Sequence, residues 1–532
     1  MTRYTLSSVV STYLSQVPAS KVILGLPWYG AAYSTATSHA LNAPRASSIT
    51  YGKPVESYYS TLSALAAQSD STHLGKFYDN GEQTAWTAYY GTYGGQPTWR
   101  EGYFDDAQAL GVKCDAIDSW NLRGVGIWAL GYDNNNGAGD LTAEIAAKFE
   151  TGVAGTTYHA VDPARILDTR ANLGLSGKLA ANTPRTFQVT GVGGVPNGAT
   201  AVTGNATVVN QTSTWAVYLG PYALSNPPTS TVNVKRGETT ANGVTVALSS
   251  TGTLSATYMA GAGNTTDLVF DVTGYFTPDK TGATYHPMDP VRVLDSRVGN
   301  GLKGKFQANA ARTFQVANQK GIPPGVAAVT GNITVVNATS TWAAYVGPKP
   351  LNFPSSSTIN FRRGQTISNG LTVAVNSDGT LSATFMSGKG NTTDLVFDVT
   401  GYYTNDPTGL RFVPVTPQRL LDSRAGNGLS GKFKAKVARA VPMAGRISLP
   451  SSAQAISANL TVVNETSSWA VWAGPNTLAN PTTSTINFLR GDVKANNLTV
   501  GLSSTGSVSL MYLSSPGQTT DLVLDVTGYF VP

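Results

Sequence analysis

A block of sequence recurs three times at a constant interval, and this repetition limits the available folds more than any other feature. Each copy opens with a hydrophobic-Leu-Asp-Thr/Ser-Arg pattern and closes with Asp-Val-Thr-Gly-Tyr-Phe/Tyr. The opening pattern lies at residues 166–170, 293–297 and 420–424, which are 127 residues apart. Such a period is too long for a solenoid repeat or a propeller blade. The repetition therefore predicts three tandem domains, at residues 158–276, 285–403 and 412–530.

Within one copy, hydrophobic and polar residues alternate in short runs. Segments such as VTGNATVV, VTVAL and LSATY are separated by Gly-containing turns. Strands spaced in this way are typical of an antiparallel sandwich or jelly roll. Short joints at residues 277–284 and 404–411 contain Pro, Gly, Asp and Lys. We therefore expect three all-β sandwich or jelly-roll modules arranged in series, like beads on a string.

The first 152 residues follow a different pattern and predict a separate domain. Residues 5–14 place apolar side chains at helical spacing, and a second helix is expected to begin at Asp105 or Asp106. Residues 22–26 and 124–130 read as short buried strands. A strand, a long insertion, a helix and a strand in that order are typical of α/β proteins. The predicted fold class is thus multidomain, with a partial α/β segment followed by three all-β modules.

Composition excludes several classes of function. Charged residues make up only 12% of the chain, and residues 151–532 carry an excess of ten positive charges without a dense Lys/Arg run. We therefore expect no nucleic-acid partner. No apolar run approaches the 18 residues of a membrane span. Cys114 is the single cysteine, and the four histidines are scattered, so we expect no metal and no cofactor.

Two segments of the N-terminal region resemble glycoside hydrolase family 18, the chitinase-like (β/α)8 barrels. KVILGLPWYG at residues 21–30 is similar to the family's seventh strand, and RGVGIWALGYD at residues 123–133 is similar to its eighth. Residues 51–99 take the place of the family's inserted domain. Ala31 departs from the pattern, because many members carry Arg there. The resemblance implies the last part of a TIM barrel, although a complete barrel needs about 250 residues.

The resemblance also shows what this chain lacks. The family's fourth-strand motif, Asp-x-x-Asp-x-Asp-x-Glu, carries the general acid and does not occur in the sequence. The nearest imitation, Asp115-Ala-Ile-Asp118, continues with Trp120 and Leu122 and falls on a predicted helix. Substrate-assisted hydrolysis needs one carboxylic acid to transfer the proton. We therefore assign no catalytic residue in this chain.

By resemblance, Trp128 corresponds to the tryptophan that forms the floor of the sugar subsite at the cleavage point. A flat indole packs well against the apolar face of a pyranose ring. Trp28, Tyr29 and Tyr132 are the further substrate-binding candidates at the strand ends. The alternative is that Trp128 packs in a core.

The three repeats resemble a tail domain of secreted bacterial proteins, and this resemblance implies an extracellular or cell-surface location. Their opening pattern contains an Asp and an Arg two residues apart, which would share one face of a strand. These pairs could clamp a sugar or an anion, or anchor the loops of their own module through charge-assisted hydrogen bonds. The pairs are Asp168 and Arg170, Asp295 and Arg297, and Asp422 and Arg424.

A tryptophan at the same place in each repeat precedes a second aromatic residue by three positions. Three positions along a strand reverse the face, so at most one residue of each pair can be core. The other could be an exposed stacking platform for glycans, or it could pack at an interface or in a core. The first set is Trp215, Trp342 and Trp469, and the second is Tyr218, Tyr345 and Trp472.

Two hypotheses of function follow. The first is an exported, non-catalytic protein with a carbohydrate-binding, cell-surface-binding or structural role, built from three β-sandwich repeats and a chitinase-like remnant, with a polysaccharide or cell-wall glycan as partner. The second is the C-terminal part of an active chitinase-like hydrolase whose acid lies upstream or on another chain. Because a partial barrel leaves strand edges open, we also expect self-association through residues 1–152 or poor order there.

Overall fold

The structure, a computed structural model, describes residues 5–36, 40–46, 54–120, 122–129, 131–133, 140–149, 155–446 and 448–532. The chain divides into two compact units, Met1–Val153 and Ala154–Pro532. In the part of the chain described, every helix is too short or too polar to cross a membrane.

The N-terminal unit mixes helices and strands, as the sequence predicts. Its elements in chain order are α1 (Leu6–Leu14), a 3-10 turn (Ala19–Lys21), β1 (Ile23–Pro27), β2 (Tyr29–Ser34), β3 (Val55–Tyr58), α2 (Tyr59–Ala66), β4 (His73–Asp79), β5 (Thr84–Tyr93), β6 (Gln96–Phe104), α3 (Ala107–Ser119), β7 (Gly124–Trp128) and α4 (Asp140–Phe149).

Capping side chains fix where two of these helices begin. Thr5 caps α1 and accepts a hydrogen bond from the Ser8 backbone N–H. Asp106 caps α3 by accepting from the Ala109 N–H at 3.0 Å. A cap of this kind satisfies one of the N–H groups that a helix leaves unpaired in its first turn. Both helices therefore begin where the sequence predicts.

Two sheets form the rest of the N-terminal unit. Strands β1 and β7 pair in parallel, from Ile23 opposite Gly124 to Pro27 opposite Trp128. A five-stranded antiparallel sheet has the order β3-β2-β6-β5-β4. The predicted α/β character is thus present as one parallel pair within the described residues. Two parallel strands do not establish a barrel, and descent from a TIM barrel stays a prediction.

The C-terminal unit contains strands and turns that recur three times. The first module has β8 (Thr157–Asp168), β9 (Leu179–Ala180), β10 (Arg185–Gln188), β11 (Ala201–Val209), β12 (Trp215–Gly220), β13 (Val232–Val234), β14 (Thr240–Ala247), β15 (Thr253–Met259) and β16 (Thr265–Thr277). The second has β17 (Thr284–Asp295), β18 (Phe306–Gln307), β19 (Arg312–Gln315), β20 (Ala328–Val336), β21 (Trp342–Gly347), β22 (Ile359–Phe361), β23 (Ile367–Ala374), β24 (Thr380–Met386) and β25 (Thr392–Thr404). The third has β26 (Arg411–Asp422), β27 (Phe433–Lys434), β28 (Ala438–Pro442), β29 (Ala455–Val463), β30 (Trp469–Gly474), β31 (Ile486–Phe488), β32 (Lys494–Gly501), β33 (Ser507–Tyr512) and β34 (Thr519–Val531).

Each module is built from two antiparallel sheets that face each other across a hydrophobic core. In the first module the sheets have the orders β10-β15-β12-β13 and β14-β11-β16-β8, and the other modules repeat both orders. Phe187 and Leu254 of one sheet share a buried cluster with Leu167 and Phe270 of the other. Equivalent clusters fill the second and third modules. The alternating pattern of the sequence thus produces repeated sandwiches.

The modules pack as a closed ring, and the expectation of beads on a string is wrong. Asn205 of the first module donates to the Ser357 carbonyl of the second, and Asn332 of the second donates to Ser484 of the third. Asn459 of the third donates back to Ser230 of the first at 2.7 Å. These contacts run in one cyclic direction and relate the modules by a pseudo-threefold axis.

A shared aromatic cluster explains why the modules do not stay separate. Each module contributes one aromatic residue from its first strand and one from its last, and all six are buried. They are Tyr158, Tyr285, Phe412, Phe276, Tyr403 and Phe530. Because their burial depends on neighbouring modules, the apolar surface that they cover favours association of the three.

Candidate functional site

Trp128 ends strand β7 and presents its indole to solvent. The side chain is 69% exposed, which is unusual for so large an apolar group. It lies opposite Pro27 at the carboxyl ends of the two parallel strands, the edge at which α/β proteins place ligands. The alternative prediction, that Trp128 packs in a core, is therefore wrong.

Trp28 lies on the other side of this strand end and is buried, with only 1% of the residue exposed. It belongs to the hydrophobic core of the N-terminal unit, and its backbone N–H donates to the Trp128 carbonyl at 2.8 Å. The prediction that Trp28 binds substrate is wrong for this structure. Its side chain fills the core beneath the strand end and cannot stack on a sugar.

Tyr29 and Tyr132 border the same strand end, together with a residue that the sequence did not single out. Tyr29 is half-buried and pairs in strand register with Tyr58. The Tyr58 ring lies 4.2 Å from the Tyr132 ring, centroid to centroid, and Tyr58 is 54% exposed. Desolvation, followed by the proximity of Tyr58, raises the pKa of Tyr132. The run of aromatic residues at positions 58 and 59 was the signal that could have identified Tyr58.

Two carboxylates of this unit, those of Glu101 and Asp115, make structural contacts. Glu101 is buried and accepts hydrogen bonds from the hydroxyls of Tyr33 and Tyr103. Asp115 lies on α3, as predicted, and its Oδ1 lies 2.5 Å from Nζ of Lys148 on α4. Burial raises the pKa of Asp115 to about 6, although Lys148 opposes the shift. The raised pKa is therefore explained by burial at the contact between α3 and α4.

The Asp–Arg pairs of the repeats form the same local contact three times. Arg170 donates through Nε and Nη2 to both carboxylate oxygens of Asp168, at 2.8 and 2.6 Å. Asp295 with Arg297 and Asp422 with Arg424 repeat this bidentate geometry. The hydrogen bonds from each arginine lower the pKa of its aspartate. This geometry fits the interpretation that the pairs anchor their own loops.

The two aromatic sets of the repeats separate cleanly by burial. Trp215, Trp342 and Trp469 are 62, 62 and 63% exposed, each at the first position of its strand. The partner residues lie on the opposite face and are buried to 1 or 2%, so their prediction as stacking platforms is wrong. These buried residues are Tyr218, Tyr345 and Trp472.

A cleft of about 470 Å³ lies beside Trp469 at the junction of the second and third modules. Phe488, Leu489 and Trp469 line it from the third module, and Arg292 and Arg297 line it from the second. Arg292 donates to both carboxylate oxygens of Asp398, at 2.8 and 3.1 Å, and Arg297 is paired with Asp295. The cleft therefore combines an exposed indole with arginines whose charges are already balanced.

No group of three or more His, Cys, Asp or Glu side chains that could hold a metal occurs among the described residues. Two aspartates on the last strand of the first module, Asp267 and Asp271, contact protein groups. Asp267 accepts from the Thr169 hydroxyl and Asn210, and Asp271 is bound by Arg165. These contacts occupy the oxygen atoms that a cation would need.

One family model matches part of the N-terminal unit. Residues 2–133 match the model of glycosyl hydrolases family 18, in agreement with the resemblance of the two strand segments. The matched range includes Trp128 and the tyrosines beside it. No curated protein matches the chain.

Solved structures with local similarity include a chitinase, a chitinase-like agglutinin and a pseudo-chitinase. A chitinase from Chromobacterium violaceum is 18% identical, with 27% of this chain and 37% of that chain covered and a TM-score of 0.21. A chitinase-like agglutinin from Robinia pseudoacacia is 22% identical over 26% and 36%, with a TM-score of 0.20. Human YKL-39, described as a pseudo-chitinase with retained chitooligosaccharide binding, is 16% identical over 27% and 40%, with a TM-score of 0.22. The chain thus covers well under half the length of each.

Proposed function

We propose that this protein binds a neutral glycan of the chitin type without hydrolysing it. One observation carries the proposal: the exposed indole of Trp128 lies at the ligand-binding edge of a parallel strand pair, within the segment that matches glycosyl hydrolases family 18. A flat indole contacts the apolar face of a pyranose, and nearby tyrosine hydroxyls can bond its polar rim. The sequence contains no Asp-x-x-Asp-x-Asp-x-Glu motif to supply the proton.

The C-terminal unit adds further binding surface in this proposal. The cleft beside Trp469 has the volume of a small-molecule site, and its arginines are neutralised by Asp295 and Asp398. Such a cleft favours an uncharged sugar over an acidic one. Trp215 and Trp342 have the same exposure, so we extend the assignment to all three.

Calorimetric titration of the full chain with chitotetraose tests the proposal. We expect Trp128→Ala to weaken binding by about tenfold or more, the effect of losing about 1.4 kcal/mol. Tyr13→Ala is the matched control, because Tyr13 is also a large exposed aromatic residue of this unit, at 60%. Equal affinity of Trp128→Ala and the unaltered chain would overturn the assignment.

The family match also favours a second candidate, a segment of an active chitinase-like hydrolase whose general acid is supplied from outside this chain. Incubation of the purified chain with chitooligosaccharides and with peptidoglycan tests the non-catalytic proposal directly. Any turnover by the purified chain would contradict the non-catalytic proposal, and turnover that survives Trp128→Ala would also remove Trp128 from the subsite.

An extracellular or cell-surface location in a bacterium is part of the same proposal and rests on the resemblance of the repeats to secreted tail domains. Fractionation of cells that produce the protein tests it. Recovery in the medium or in the wall fraction is expected, and retention in the cytosol would contradict it.

A further inference from the structure

The three modules form an open, charged cavity on the side of β13, β22 and β31. Its volume is about 310 Å³, and all three modules contribute to it. Lys235 and Glu238 come from the first, Arg362 and Arg363 from the second, and Asp492 and Lys494 from the third. Each module contributes two charged residues to this cavity. The cavity therefore forms only because the three modules close into a ring.

Both carboxylates of this cavity are already paired across module boundaries. Lys235 Nζ lies 2.5 Å from Asp492 Oδ1, which joins the first and third modules. Arg362 Nη1 lies 3.1 Å from Glu238 Oε1, which joins the second and first. These pairs leave two positive charges, on Lys494 and Arg363. In the described part of the chain, no ion pair or side-chain hydrogen bond involves either charge.

Lys494 is the unusual member, because the residue is only 8% exposed. Burying an ammonium group without a partner is costly, so such a residue needs another source of compensation. Desolvation lowers its pKa, and Lys235 and Arg362 act in the same direction. Asp492 and Glu238 oppose this shift, and both are already engaged by the two ion pairs.

The other modules show that the fold itself does not require a lysine there. Lys494 is the first residue of β32 and pairs in register with Val462. At the same backbone position, Thr240 pairs with Val208 in the first module and Ile367 pairs with Val335 in the second. Both equivalents are buried to 4% exposure. A threonine or an isoleucine therefore fills this position without a charge.

We propose that the cavity at the module junction binds a tetrahedral oxyanion, a phosphate or sulfate group, between Lys494 and Arg363. An ammonium and a guanidinium supply charge-assisted hydrogen bonds to such a group. The volume exceeds that of a single anion, so the group can be free or can be carried on a larger molecule. Leu489 lines both this cavity and the cleft beside Trp469, but Lys494 and Arg363 do not line that cleft.

Titration of the full chain with inorganic phosphate at constant ionic strength tests the proposal, with Tm as one readout and calorimetric Kd as the other. A ligand that binds only the folded state raises Tm in a saturable way. We expect Lys494→Thr to weaken phosphate binding about tenfold. This variant should fold, because Thr240 occupies the same position in the first module, and without phosphate its Tm should equal or exceed that of the unaltered chain. Arg363→Gln, an exposed change, should also weaken binding, and Lys389→Thr, at an exposed lysine elsewhere, should not.

Retained phosphate affinity in Lys494→Thr, or no saturable effect on the unaltered chain, would overturn the proposal. A marked fall in Tm of Lys494→Thr without phosphate would also overturn it, because the lysine would then have a structural partner. A further titration with glucosamine 6-phosphate distinguishes the two sources of the anion. Tighter binding than phosphate itself would indicate a group carried on a saccharide, and equal binding would indicate the free anion.

Discussion

Asn369 donates its side-chain amide to Oδ1 of Asn205 at 2.9 Å, although 164 residues separate them along the chain. The same amide group donates to the Thr358 carbonyl, and Oδ1 of Asn369 accepts from the Gly243 backbone N–H at 2.8 Å. Asn496 and Asn242 make corresponding contacts at the other two junctions. Buried side-chain amides therefore hold the modules together in a ring, in addition to the apolar surface of the aromatic cluster.

Replacing Asn369 with alanine should destabilise the C-terminal unit. The change leaves a buried N–H on Gly243 and a buried carbonyl on Thr358 without their partners, and each unsatisfied group costs about 1–3 kcal/mol. Chemical denaturation should show a free energy of unfolding that is lower by at least about 1–3 kcal/mol. Asn197→Ala, at an exposed asparagine of the first module, is the control and should have little effect. Comparable stability of the two variants would contradict the ring contacts.

A methyl group at Gly243 should disturb the same junction by crowding. A Cβ built there would lie 1.9 Å from the Gly370 carbonyl oxygen of the second module. Overpacking of this kind costs about 1–3 kcal/mol or more, so Gly243→Ala should lower the Tm of the C-terminal unit. Gly261→Ala is matched to it, because a Cβ there meets only an Asn264 side-chain atom at 3.6 Å. Equal Tm values for the two variants would contradict the close approach of β14 and β23.

The three exposed tryptophans of the repeats should matter more for a polymer than for a short sugar. Several weak sites on one chain raise affinity for a polymeric ligand through effective concentration. We expect the triple change Trp215→Ala, Trp342→Ala and Trp469→Ala to reduce retention on insoluble chitin about tenfold or more, with a smaller loss for chitotetraose. Phe353→Ala, which removes another exposed aromatic side chain at 82%, should leave retention unchanged. Full retention by the triple variant would rule out these surfaces.

Asp115 should make the N-terminal unit less stable as the pH rises from about 4 to about 6. Its pKa is about 6 in the folded unit and about 3.9 in an unfolded chain, so the folded state binds the proton more tightly across this window. Raising the pH removes that proton and with it the stabilising contribution. Thermal unfolding of this unit at a series of pH values measures the slope, and Asp115→Asn should flatten it. An unchanged slope in this variant would contradict the assignment.

Self-association through the N-terminal unit also remains a prediction with a structural basis. Ile23 on β1 is 58% exposed, beside a parallel pair that has only two strands within the described residues. Sedimentation velocity should show oligomers that Ile23→Asp reduces, because a charge opposes burial of an apolar strand. Leu41→Asp, at an exposed position off the strand, is the control. A monomeric unaltered chain at high concentration would contradict the prediction.

Local patterns predicted the elements of this protein better than their assembly. The caps at Thr5 and Asp106 and the strands of each repeat follow from short-range chemistry that a sequence displays directly. The burial of Trp28, between β1 and β2, and of Tyr218, on β12, depended on which side of the backbone turned inward. Two aromatic residues close together in the sequence leave that choice open. The contact of Asn369 with Asn205 joins two modules across 164 residues of sequence, and no local sequence pattern predicts it. The pairing of Tyr58 with Tyr132 was missed for the same reason.

A crystal structure of the full chain soaked with chitotetraose tests whether Trp128 binds a glycan without hydrolysis. We expect a sugar ring stacked on the exposed face of the Trp128 indole, with hydroxyl groups in reach of Tyr29 or Tyr132 and the oligosaccharide intact. A bound oligosaccharide that avoids Trp128, or one that is cleaved in the crystal, would contradict it.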